Sequence, residues 1–320
     1  MSRRDMPLFS SDDLISEADL AREAAPLARR REDLDSATMW RSREDGLLVR
    51  GVKPHSAQKS LMVSRGIDTV STAMAGKWFA TRYGVEYVEL YSGPGRLLDE
   101  STGKEQLGSP LQALSVKRPF SRYVFSDVDD DCAAALAARI GGRDDVHVVT
   151  GDANDREHLE RVIGRLNRHA LVIVYLDPAR PQDLRFETVR YLAEAFEYLD
   201  LIVNLPVNNL IRAIHGAYHG GGKGPGAAGR YLEHDRPHEL LRPHPNRPIT
   251  SATIAAIRDY YDERLMNLGF KKPARRTIFF PPGSPYYDVL RVPPPDRPRP
   301  LESHEPRARR STAGVFRRHR

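Results

Sequence analysis

The chain has 320 residues, enough for one well-buried core with length to spare. Its single cysteine, Cys132, excludes a disulfide framework or a cysteine-rich metal site within the chain and fits a reducing cytoplasm. A formal charge of +6, a pI near 9.4, 24 prolines and 40% hydrophobic residues imply poorly ordered ends and a lean towards nucleic acid as partner.

Residues 1–50 mix charges and small side chains without sustained periodicity and read as an arm outside the core. No apolar stretch follows Met1-Ser2-Arg3-Arg4-Asp5, so no signal peptide is expected, and no run is long enough to span a bilayer. A helix is expected from His55, because Val63, Ile67, Val70, Met74 and Trp78 recur every three or four residues. His55 and Lys59, four apart, share a face of it. Residues 85–90 then form an apolar, β-branched and aromatic run, the signature of a buried parallel strand. It stops at Ser92-Gly93-Pro94-Gly95, where two glycines allow a tight turn and a close backbone approach to a ligand. Leu98 stands where a dinucleotide fingerprint needs its third glycine, so a cofactor without a pyrophosphate, S-adenosylmethionine (SAM), suits the turn better than NAD.

Residues 96–108 read as a loop, and Ser109-Pro110 as the N-cap and first position of a short helix. Strands are expected at 123–127, 146–150, 171–176 and 201–205, alternating with helices near 131–140, 156–167 and 186–198. The stretch around residues 220–229 is glycine-rich and flanked by His215, His219, His234, His238 and His244. Their irregular spacing argues for a mobile lid over the site and against a metal centre. A helix near 251–268 and a β-hairpin at 277–280 and 286–292 follow, and a Pro/Arg-rich tail from 293 is expected to be disordered.

Four acids fall at or near successive strand ends. Glu89 suits a methionine-type ammonium or the ordering of the glycine turn, Asp127 the ribose hydroxyls and Asp152 the adenine amino group. Asp177 suits the methyl acceptor. Asn204, ending the fifth strand, brings an amide towards the same pocket.

The succession His55-Ser-Ala-Gln-Lys59, Glu89-Leu-Tyr91-Ser92-Gly93-Pro94-Gly95, Gly108-Ser-Pro-Leu-Gln-Ala-Leu114, Gly151-Asp152-Ala153 and Leu176-Asp177-Pro178 resembles class I SAM-dependent methyltransferases. It resembles most the three-Cys-motif partner (TcmP) family, over residues 52–292. The resemblance implies a Rossmann-like class I methyltransferase fold, with a mostly parallel seven-stranded sheet, a terminal antiparallel hairpin and an N-terminal helix. It implies SAM held by Glu89, Tyr91, Ser92, Gly93, Pro94, Gly95, Asp127, Asp152 and Ala153. It puts Asp177, Pro178, Asn204, His55 and Lys59 at the reacting end, and makes a radical-SAM-like protein carrying the three cysteines a partner. The parts are then an arm (1–51), a SAM-binding methyltransferase-like domain (52–292) with a Gly/His-rich insertion near 215–248, and a basic tail (293–320). The expected function is cytoplasmic methyl transfer, with nucleic acid the favoured substrate class. The alternative is a SAM-binding, non-catalytic partner subunit.

Overall fold

The computed structural model describes residues 38–74, 78, 83–220, 226–241, 250–280 and 284–293. The expected disorder of residues 1–37 and of 294–320, and His244, lie outside them. In chain order the strands and helices are β1 (Met39–Arg41), β2 (Leu48–Val52), α1 (Pro54–Met74), β3 (Val85–Glu89), β4 (Arg96–Asp99), β5 (Glu105–Leu107), α2 (Ser109–Leu114) and β6 (Arg122–Asp127). They continue with α3 (Asp130–Ile140), β7 (Val146–Thr150), α4 (Arg156–Ile163), β8 (Leu171–Leu176), α5 (Phe186–Ala195) and β9 (Leu199–Leu205). The last are α6 (Val207–His219), α7 (Gly226–Leu232), α8 (Ser251–Asn267), β10 (Ala274–Phe280) and β11 (Ser284–Val292).

Seven strands form the main sheet in the order β10-β11-β9-β8-β3-β6-β7. β7, β6, β3, β8 and β9 run parallel, and β11 enters antiparallel against β9 and β10. This is the Rossmann-like arrangement with a terminal hairpin that the motifs implied. Every residue of β3, β8 and β9 is buried, as a central strand covered on both faces must be. Val85 and Tyr87 face one layer, where Val63, Ile67 and Val70 of α1 pack with Trp78; Val88 and Leu90 face the other. The apolar stripe of α1 is the one its spacing predicts.

Three expectations need correction. Residues 38–52 belong to the fold: β1 and β2 form a hairpin in a second sheet, ordered β1-β2-β4-β5. Its other half, β4 and β5, occupies the supposed loop after the glycine turn. Val49 and Leu98 are its buried centre, too small a pattern to stand out in sequence. Second, Ser109 does not cap α2. Gly108 takes the N-cap position, and the Ser109 hydroxyl instead donates to Glu89 Oε1. Third, the segment read as a lid is partly a packed helix: within α7, Ala228, Gly229, Tyr231 and Leu232 are buried. Tyr231 OH donates to the Asn204 carbonyl at 2.7 Å, anchoring α7 beneath the end of β9. Among the described residues no three His, Cys, Asp or Glu side chains gather as metal ligands, and no helix is long and apolar enough to cross a membrane.

Candidate functional site

The sheet order reverses between β3 and β8: the chain runs from β3 outward to β6 and β7, then returns to β8 and β9 on the other side. Open α/β sheets bind ligands in the crevice at the carboxyl ends of such a pair. Here those ends carry the glycine turn and Asp177.

The turn has φ of 60° at Gly93 and 87° at Gly95, conformations that side chains with a Cβ rarely adopt. Asp127 holds it from behind. Its Oδ2 accepts from Gly93 N at 2.7 Å and its Oδ1 from Asp129 N at 3.1 Å. At Gly108 a Cβ would come within 2.9 Å of the Gly95 carbonyl, so the turn and the start of α2 touch backbone to backbone. Glu89 lies directly below, fully buried. It accepts from Ser109 Oγ and, at 3.3 Å, from Tyr87 OH. Burial pushes its carboxyl well above the ordinary range. Ser109 and Tyr87 oppose that rise, and the negative charges of Asp177 and Asp127 add to it.

At the end of β8, Asp177 Oδ1 accepts from Lys59 Nζ at 2.7 Å and from Asn204 Nδ2 at 2.8 Å. The ammonium also lies 5.1 Å from the Tyr287 ring centre, within cation–π reach. Tyr175, two residues before Asp177, is fully buried; burial first, then the charges of Asp177 and Glu89, push its phenol well above the ordinary value. Asp177 therefore ties α1 and β9 to the end of β8 beside the switch point, by one ion pair and one amide hydrogen bond.

A cavity of about 250 Å³ joins the two groups. Of the residues singled out from sequence, Lys59, Tyr91, Ser92, Gly93, Pro94, Gly95, Asp177, Pro178 and Asn204 line it. Glu89 and Asp127 stand behind the lining. Asp152 and Ala153 lie outside it, beyond the end of β7. Asp152 is exposed, and its Oδ1 accepts from Asn154 N at 2.8 Å. His55 sits one helical turn before Lys59, and its side chain is outside the described residues. Sequence reasoning missed Arg50, which lines the cavity from β2, and Tyr287, which lines it from β11. Both arrive through strand pairings distant in sequence, for which no local motif exists.

No protein-family profile matches the chain, and no curated protein sequence matches it. Among solved structures, similarity extends to an O-methyltransferase from Bacillus cereus in complex with SAH, at 13% identity over 88% of this chain and 94% of that one, with a TM-score of 0.43. It extends to the magnesium protoporphyrin IX methyltransferase of Synechocystis PCC 6803 with bound SAH, at 15% identity over 74% and 86%, TM-score 0.35. Aeropyrum pernix fibrillarin, in complex with SAM, shares 12% identity over 65% of each chain, TM-score 0.35. The chain thus spans just under two thirds of the fibrillarin's length. The fold is read from the strand order: a Rossmann-like, mostly parallel α/β sheet with a terminal antiparallel hairpin.

Proposed function

We propose that the chain binds SAM over the glycine turn and transfers its methyl group to an acceptor held at Asp177, with nucleic acid the favoured substrate class. The observation that carries this reading is a cavity at the switch point, shared by Gly93–Gly95 and by the Lys59–Asp177–Asn204 cluster. The residues fit the cofactor: the turn presents bare backbone, and Ser92 Oγ is buried beside it without a hydrogen-bond partner. Gly93, Gly95 and Ser92 would hold the amino-acid end. Asp152 and the exposed Val128, on the open edge, would hold the adenosine, while the buried Asp127 orders the turn from behind. When bound, SAM supplies an electrophilic methyl on a sulfonium.

The protein's own part is placement and proton handling. Lys59 and Asn204 both donate to Asp177 Oδ1 and the Tyr175 phenol also hydrogen-bonds to the carboxylate, whose remaining lone pairs would accept from an N–H or O–H of the methyl acceptor. Lys59 and Asn204 fix the carboxylate's orientation. The basic composition supports a polyanionic substrate.

A second reading favours a SAM-binding partner subunit of a three-Cys-motif, radical-SAM-like protein, in line with the TcmP resemblance. The feature in its favour is that Lys59 already neutralises Asp177 in the free chain. One experiment separates the two: labelled methyl transfer from SAM to total RNA, DNA and protein, for wild type and Asp177→Asn. The enzyme reading expects transfer to fall by about 100-fold or more, a general-base-sized loss, with SAM affinity within a few-fold of wild type. Transfer that survives the substitution would remove Asp177 from the chemistry. Absence of any acceptor, with pairing to the partner weakened by Asp177→Asn, would favour the second reading.

A further inference from the structure

Two cationic side chains line the cavity, Lys59 and Arg50. Lys59 is committed to Asp177 at 2.7 Å. Arg50 has no carboxylate partner among the described residues. Its Nη2 only approaches Cys132 Sγ, at 3.9 Å, and its Nε is buried with no acceptor. Cys132 is no counter-charge: burial, only partly opposed by Arg50, pushes its thiol up to about 12, so it stays neutral at physiological pH. A buried guanidinium donor without an acceptor is a standing cost that a ligand oxygen removes.

Its position is set by the small sheet. β2 pairs in parallel with β4, with Arg50 opposite Leu97, just past the glycine turn. A Cβ placed on Gly93 would lie 3.7 Å from the guanidinium carbon, so the fork sits directly over the bare backbone of the turn. Arg139 keeps it there, donating to the Leu48 carbonyl at 2.6 Å and to the Pro94 carbonyl. A planar fork over a glycine turn matches a planar carboxylate, the ligand class guanidinium binds with two parallel hydrogen bonds.

We infer that Arg50 binds the α-carboxylate of the cofactor's methionine end, an inference that rests on the cofactor reading above. The second sheet is then part of the cofactor site, and strand β2 supplies its anion-binding residue.

Calorimetry with three ligands tests this: SAM, S-adenosylhomocysteine and 5′-methylthioadenosine, which keeps the nucleoside and sulfur but lacks the amino-acid end. Arg50→Gln should weaken the first two by about 10- to 100-fold, the range for a charge-assisted pair, and leave methylthioadenosine within about twofold. Arg50→Lys should fall between, since it keeps the charge and loses the fork. Equal weakening of all three ligands would overturn the inference, because it would reveal a merely structural role. Unchanged SAM affinity would overturn it too, including the case where only RNA binding suffers. Should both variants fail to fold, wild type decides: S-adenosylhomocysteine must bind at least about tenfold more tightly than its analogue lacking only the carboxylate. A wild type that binds none of these ligands removes the cofactor reading itself, a result distinct from SAM binding that ignores Arg50.

Discussion

Glu89 stands at the end of the central strand with both oxygens hydrogen-bonded and no solvent contact. Its raised pKa has a cost with a definite sign. A carboxyl that holds its proton more tightly in the folded state contributes stability below its ordinary value of 4.5, and that contribution is lost as pH rises through the folded value. Glu89→Gln, which is neutral throughout, should therefore match wild type below pH 4.5 and exceed it at pH 8, with Tm higher by about 2–4 °C for each kcal/mol gained. Thermal unfolding at the two pH values checks this, and equal gains at both would remove the ionisation argument. The same substitution should weaken SAM, because an amide cannot ionise against the cofactor's ammonium as a carboxyl can. Strand-end acids of this kind were legible in sequence because burial and strand termination are local patterns. Arg50 was not: β2 has five residues, and its meaning comes from pairing with β4, Arg50 opposite Leu97, far along the chain.

One side chain fastens the small sheet to α3 and to the glycine turn. Arg139 of α3 is almost fully buried and reaches Asp45, the Leu48 carbonyl and the Pro94 carbonyl, so it joins the β1–β2 hairpin to the glycine turn. Its guanidinium holds the Asp45 carboxyl down at about 2. Arg139→Ala would strand these acceptors, at about 1–3 kcal/mol. The expected result is faster amide exchange in residues 48–52 and weaker SAM binding, while the strands of the main sheet keep their protection. Uniform loss of protection would instead make Arg139 a core residue. The elements themselves divide along the same line. The parallel strands and α1 are readable from runs and periodicity. α6 and α7 were hidden by glycines and histidines, and are held by tertiary packing, with Ile211 and Tyr231 fully buried.

Across the whole molecule, charge is set against a site whose lining is mostly backbone and neutral side chains. The arginine-rich run beyond residue 293 supplies much of the excess positive charge. If the substrate is nucleic acid, truncation at 293 should lower its affinity and flatten the salt dependence without moving the SAM affinity. A salt slope identical to that of the full chain would make the run a bystander. The backbone passes from β3 in the main sheet through the glycine turn into β4 in the small one, and β4 is the strand on which β2 docks. Any ligand that grips the turn and Arg50 together is therefore a clamp on residues 38–52, and its binding free energy is added to the opening free energy of that hairpin. At a hundredfold excess over Kd the addition is about 2.7 kcal/mol. Limited digestion should then cut before β3 in the free chain and slow by up to about a hundredfold with SAM present, a ligand assay that needs no knowledge of the methyl acceptor.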